Sequence, residues 1–377
     1  MMVLDSKLKL GIAGGLAGVV AAVLAILGNP RNMAFCIACF IRDTAGALKF
    51  HTAAPVQYIR PEIIGLIIGA FVIAIATKEF KVTAGSSPMI RFVLGVVIMV
   101  GALAFLGCPL RMVIRMAAGD WNAYVALIGF ACGIATGVFA LKKGFSLGRA
   151  YVTNTGTGYV MPLIAAGMFV LLVAGFTLPG ADGPVPLIAS SEAGPGSMHA
   201  PIIASLAAGL VVGALAQKSR MCFAGSIRDV ILLKNFDLIS VIGGMFVVLL
   251  VFNIATGRFT PGFEVPGTIS HPMHLWNFLG MYAVGFAATL AGGCPMRQLI
   301  LAAQGSADAG ITVLGMFVGS AMCHNFGLAA SGTAKNAETG EITLGALSKN
   351  GQAAVIICII ICFIIAFTQK REEVVKS

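Results

Sequence analysis

GGCPMRQ, residues 292–298, puts a thiol, a helix-breaking proline and a cation together at the end of an apolar run. GCPLR, residues 107–111, does the same earlier in the chain. The two copies belong to a longer correspondence. Cys36-x5-Arg42-Asp43 recurs as Cys222-x5-Arg228-Asp229, and Gly107-Cys108-Pro109-x-Arg111 as Gly293-Cys294-Pro295-x-Arg297, both at an offset of 186 residues. Gly119 and Gly305 fall in the same register, as do Gly129-xxx-Gly133 and Gly315-xxx-Gly319. Several matches in one register mark an internal duplication, which decides the fold before any single helix is considered.

Composition sets the solvent. Of 377 residues 58% are hydrophobic and only 11% charged, with a mean hydropathy of +0.95. A soluble chain of this size carries about 25% charged residues, so this one is built for a bilayer. Backbone groups must be paired within lipid, which leaves helices or a closed barrel. The long unbroken apolar runs select helices, since barrel strands alternate in segments of about ten residues. A span needs roughly 20 apolar residues. Ten are expected, near 10–28, 62–78, 90–107, 122–141, 160–178, 200–216, 238–254, 275–293, 310–330 and 352–369. The expected organisation is an N-terminal repeat over 1–178, an exposed outer linker over 179–199 and a C-terminal repeat over 200–377, with a second exposed segment at 331–351 and a solvated tail, TQKREEVVKS. Lys7 and Lys9 before an apolar core imitate a signal peptide, but this segment corresponds to 196–214 within the second repeat, so cleavage is not expected.

Five spans per repeat is an odd number, so the second copy enters the membrane from the opposite face. That is the inverted-repeat plan of many transporters. The basic residues are consistent with it. With the N-terminus in the cytoplasm and the motif segments set aside (30–61, 107–121, 217–237, 294–309), the cytoplasmic segments hold eleven Lys and Arg and the outer ones three, Arg258, Lys335 and Lys349. Both termini are expected inside. The formal charge of +10, from 25 Lys+Arg against 15 Asp+Glu, then reflects topology and an anionic ligand rather than nucleic acid. No GxxxxGK[ST] stretch is present, so ATP hydrolysis through a P-loop is not expected.

The motif segments are too polar to span and too apolar for ordinary loops. Such backbone is tolerated at membrane depth only when buried in protein or lining a cavity. The proline predicts Cys108 and Cys294 at helix N-caps with short re-entrant helices behind them. Free N–H groups and the positive end of each helix dipole then point at whatever lies beside the thiol. Arg111 and Arg297 fall in the first helical turn, where a cation opposes the dipole and needs a negative partner. Six residues separate Cys36 from Arg42 and Cys222 from Arg228, so one of each pair is expected on a loop, and each adjacent Arg-Asp reads as an ion pair. The plain alternative is a structural helix start with an inert packed thiol and a structural ion pair. Duplication of intramembrane cations beside thiols favours function instead.

Nine cysteines is an odd number, and most lie in apolar runs, so free thiols are expected rather than a disulfide framework. Cys36-Ile-Ala-Cys39 is a CxxC, a spacing used for redox chemistry or metal binding, but the second copy has Gly225 in place of Cys39. Cys132, Cys323, Cys358 and Cys362 have no repeat partner and read as packing residues. His51, His199, His271, His274 and His324 show no metal-ligand spacing; no metal or cofactor is expected.

Arg220-Met-Cys222-Phe-Ala-Gly225-x-x-Arg228-Asp229 and Gly292-Gly-Cys294-Pro-x-Arg297, with their first-half copies, resemble the YeeE/YedE sulphur-transport family. FCIACFIRDTAGALKFHTAAPVQYIRPEIIG, 35–65, is similar more narrowly to its long YedE members, associated with selenium transport. The resemblance implies an all-α polytopic protein of a bacterial inner membrane with an hourglass interior. It implies uptake of a thiosulfate-like anion passed between thiols, here Cys36, Cys108 and Cys294 with Cys222 in the fourth motif, and a small soluble sulfur-carrier protein as partner. Cys39 departs from the repeat's glycine. The expectation is a transporter, not an enzyme, for a small inorganic sulfur or selenium anion, its pathway lined by Cys36, Cys39, Cys108, Cys222, Cys294, Arg42, Arg111, Arg228 and Arg297. The alternatives are a membrane thiol oxidoreductase using Cys36 and Cys39, and a soft-metal transporter.

Overall fold

A computed structural model describes residues 2–180, 183–264, 269–335 and 339–370; most of the tail expected to be solvated, 371–377, lies outside them. The first half contains α1 (Met2–Ile26), α2 (Ile37–Ala47), α3 (Pro61–Ala76), α4 (Pro88–Phe105), α5 (Pro109–Ala117), α6 (Trp121–Lys142) and α7 (Val160–Ala174). The second contains α8 (Ile202–Ser219), α9 (Phe223–Leu233), α10 (Asp237–Ala255), α11 (His274–Ala291), α12 (Pro295–Ala303), α13 (Ala307–Asn325) and α14 (Lys349–Thr368). Among the described residues ten helical stretches are long and apolar enough to cross a membrane, and they coincide with the ten expected spans. α2, α5, α9 and α12 are the short helices of the four motif segments. Among the described residues strand is confined to three two-stranded ribbons in loops: β1 (Thr83–Ala84) with β2 (Tyr151–Val152), β3 (Thr177–Gly180) with β4 (Gly183–Pro186), and β5 (Ala334–Lys335) with β6 (Ile342–Thr343). The protein is an all-α polytopic membrane protein.

The 186-residue offset is written into the packing. α1 packs on α10 as α3 packs on α8, and α6 on α11 as α13 on α4; α4 and α11 meet their own equivalents. The agreement extends to single residues. A β-carbon at Gly129 would strike the carbonyl oxygen of Phe278, and one at Gly315 that of Phe92, the equivalent contact. Close backbone approach at small residues is how membrane helices associate when no hydrophobic drive separates them from lipid. Helix starts repeat too. Asp120 caps α6 by accepting from Asn122 N–H, and Ser306 caps α13 by accepting from Ala309 N–H. The glycines before them, Gly119 and Gly305, have φ of +94° and +107°, which a side chain would strain.

Two features depart from the repeat. α7 packs on α3, whereas its equivalent α14 packs on α4 and α11. A cavity of about 550 Å³ opens beside α7, lined by Ile41 of α2, Leu48 just after it, Leu299 of α12 and Phe317 of α13. The linker is largely exposed, as expected, but its later part is also docked. Ser191 Oγ accepts from Gln57 N–H at 2.8 Å and donates to Ala54 O at 2.6 Å, and Ala200 N–H donates to Asn29 Oδ1 at 2.8 Å. The physical reason is that the segments before α2 and between α2 and α3 carry donors and acceptors there, at Asn29, Ala54 and Gln57, which a passing chain can satisfy. The 331–351 segment is likewise tied down, with Thr333 N–H on Ser270 O at 2.7 Å.

Candidate functional site: two thiol stations

Each short helix begins at a motif cysteine. Cys36 caps α2, Cys108 caps α5, Cys222 caps α9 and Cys294 caps α12, with Pro109 and Pro295 in the first turns of α5 and α12. This is why Cys and Arg six apart do not share a helix face: the thiol stands just outside the first turn and the arginine well inside it. In each half the two helix starts converge. Cys36 Sγ lies 3.7 Å from Cys108 Sγ, with Cys39 beside Cys36. In the second half the thiols of Cys222 and Cys294 lie side by side. The backbone N–H groups of Arg111 and Ala38 flank the Cys108 sulfur, and those of Arg297 and Phe223, the equivalent start of the partner helix, flank Cys294. Gly225 N–H donates to Cys222 Sγ at 3.1 Å. Two positive helix ends therefore meet at each thiol pair. Each repeat thus carries its own pair of capping thiols, here termed a station.

Leu106, just before the first Gly-Cys-Pro, sits in the left-handed region at φ +65°, where its equivalent is Gly292 at +85°. A leucine there costs about 1–2 kcal/mol. The conformation aims the Leu106 carbonyl at Arg111 Nη1, 2.6 Å away. Arg111 also donates from Nε to Asn32 O at 3.1 Å, from Nη2 to Ile269 O at 3.3 Å and from Nη1 to Cys39 Sγ at 3.3 Å. Arg297, its equivalent, has Nη1 buried with no hydrogen-bond acceptor among the described residues.

The Arg-Asp ion pairs expected from the sequence are present and unequal. Asp43 accepts from Arg42 Nε and Nη2 at 2.9 and 2.7 Å through Oδ1, and from Arg60 Nε through Oδ2 at 2.9 Å. Arg42 and Asp43 side chains are 4% and 0% exposed, whereas Arg228 and Asp229, 2.9 Å apart, are 30% and 17% exposed. Arg60 donates further to Met198 O and Pro195 O of the docked linker and lies over the Phe40 ring at 4.5 Å. Arg115, also fully buried, donates to Asp120 Oδ2 at 2.6 Å and to Phe105 O at 2.7 Å. Sequence reasoning missed Arg60 and Arg115. Their equivalents are Phe246 and Leu301, so the repeat carries no trace of them; a cation beside an apolar span was the available signal.

All nine cysteines are free; Cys132 faces outward on α6, while Cys323, Cys358 and Cys362 are buried packing residues. His271 is buried and bonds Ala104 O through Nε2 at 2.7 Å. Burial, helped by the positive charge of Arg115, pushes its pKa down to about 4. Among the described residues no three His, Cys, Asp or Glu are arranged to hold a metal ion.

No curated protein matches this chain. Residues 218–377, described as sulphur transport, match a protein family and carry the second-half station complete, Cys222, Arg228, Cys294 and Arg297. The chain is a multi-pass membrane protein whose second half, residues 218–377, is similar to the sulphur transport family.

Proposed function

We propose that the protein takes up a small inorganic sulfur or selenium anion, thiosulfate-like or a selenium congener, across a bacterial inner membrane. The anion passes from the first station to the second, held by Cys36, Cys108, Cys222 and Cys294 and drawn by the guanidiniums beside them. The observation that carries this is the pairing of thiols between two converging helix N-termini, repeated in both halves. Helix starts and arginine favour an anion, while a thiol donates a weak S–H hydrogen bond. Sulfur and selenium are large, polarizable acceptors suited to such donors. An anion offering only oxygen gains less, so selectivity comes from the difference.

The halves are taken as inverted, residues 1–178 and 200–377 joined by 179–199, with both termini cytoplasmic. The first station then serves the outer face and the second the inner. The greater exposure of Arg228 and Asp229 over Arg42 and Asp43 fits an inner mouth more open than the outer one. A small cytoplasmic sulfur-carrier protein is the natural recipient.

The test is uptake of labelled thiosulfate, selenite and sulfate, side by side, into proteoliposomes containing the protein. A net hydrogen bond contributes about 0.5–1.5 kcal/mol, so two thiols favouring the sulfur-bearing anion imply roughly tenfold discrimination or more. Thiosulfate, the one of the three that presents a terminal sulfur, is expected to enter well ahead of sulfate and of selenite, whose acceptors are oxygens. Equal rates for all three would overturn the proposal.

A further inference from the structure

The stations differ at one pair of equivalent positions, three residues after the capping thiol. Cys39 stands in the first half and Gly225 in the second. Cys39 Sγ receives a hydrogen bond from Arg111 Nη1 at 3.3 Å, and the rest of that guanidinium is turned to the carbonyls of Asn32, Leu106 and Ile269. In the second half nothing extends from Gly225. A β-carbon there would stand 3.2 Å from Cys222 Sγ and 3.8 Å from Arg228 Nη2, so a longer side chain would crowd the capping thiol and take the space toward Arg228. Beside that space Arg297 Nη1 is buried without an acceptor among the described residues. A buried guanidinium N–H left unpaired is unfavourable, and the repeat shows what satisfies the same nitrogen in the other copy: the Leu106 carbonyl and, beside it, the Cys39 sulfur.

We propose that Cys39 is a tethered stand-in for the cargo, its sulfur holding beside Arg111 the place that the terminal sulfur or selenium of the anion takes beside Arg297. The second station is then the resting binding site. The first accepts the anion only when Cys39 releases Arg111, so Cys39 gates entry. This rests on the transport function proposed above and adds to it an unequal occupancy of the two stations.

The test is equilibrium binding of labelled thiosulfate to the purified full chain in detergent. Wild type is expected to bind one anion per chain, Cys39→Gly two, Gly225→Cys none, and the double exchange one. Cys39→Ala, which avoids placing glycine within a helix, is expected to bind two as well. Gel filtration and a thermal melt establish that each variant is folded. If folded Cys39→Gly and Cys39→Ala bind only one anion, or folded Gly225→Cys keeps the wild-type site, the stand-in role is overturned while the transport function stands. A wild type that binds neither thiosulfate nor its selenium congener selenosulfate overturns both.

Discussion

Neutralising the same carboxylate in the two repeats should have very different consequences. Asp43→Asn removes little volume, so the packing of α2 is retained and the effect is electrostatic. The carboxylate accepts from Arg42 through one oxygen and from Arg60 through the other. An asparagine keeps one acceptor oxygen and turns N–H donors toward a guanidinium that is itself only a donor. Both arginines stay buried, Arg42 with a 4% exposed side chain and Arg60 with none. Breaking a buried pair costs about 3–5 kcal/mol, because the remaining charge has no compensation. Asp229→Asn breaks the equivalent pair, but Arg228 is 30% exposed and can rehydrate; such pairs are worth about 0–1 kcal/mol. At about 2 °C per kcal/mol for a chain of this size, Asp43→Asn should lower the apparent melting temperature by roughly 6–10 °C and Asp229→Asn by about 2 °C or less. The assay is a thermal melt in one detergent at one scan rate, since large membrane proteins unfold irreversibly. Equal shifts, or a larger one for Asp229→Asn, would refute the assigned burial and the role of Arg60 as a second partner.

Three further outcomes are expected. Gly129→Leu and Gly315→Leu should destabilise to a similar degree, about 1–3 kcal/mol each by overpacking, because their contacts with Phe278 and Phe92 are equivalent; paired melts check this, and a shift confined to one would break the correspondence. Mild oxidation should join Cys36 to Cys108, whose sulfurs are 3.7 Å apart, and peptide mapping should recover that pair ahead of any pair drawn from opposite stations. Arg60→Lys should free the docked linker, since an ammonium cannot reproduce the fork that holds Asp43, Pro195 and Met198 together; faster proteolysis within 183–199 reports it, and unchanged cleavage would contradict it.

Much of this molecule was legible in its sequence because membranes impose few solutions. Apolar runs of sufficient length had to be spans, and proline after cysteine had to start a helix, so Cys108 and Cys294 could be placed at caps from five residues each. For Cys36 and Cys222 the spacing said only that the cysteine or its arginine lies on a loop, and the structure supplied their caps; the duplication did pair the glycines that join α6 to α11 and α4 to α13. What escaped is what the repeat does not share. Arg60 has a phenylalanine at its equivalent position, and its partners in the linker are backbone carbonyls, which have no residue-type signature. The different seats of α7 and α14 rest on apolar surfaces that many neighbours satisfy equally. The contrast between Arg111 and Arg297 was half visible, in Cys39 against Gly225; the strained Leu106 that completes the first arginine's shell was not.

The most direct test is thiosulfate uptake by proteoliposomes carrying Cys108→Ala or Cys294→Ala, each shown to be folded and inserted. If the anion crosses by way of the two stations, either replacement alone abolishes uptake, although each leaves the other station whole. Wild-type rates in both variants would mean that the paired thiols stand off the route and that the anion crosses elsewhere.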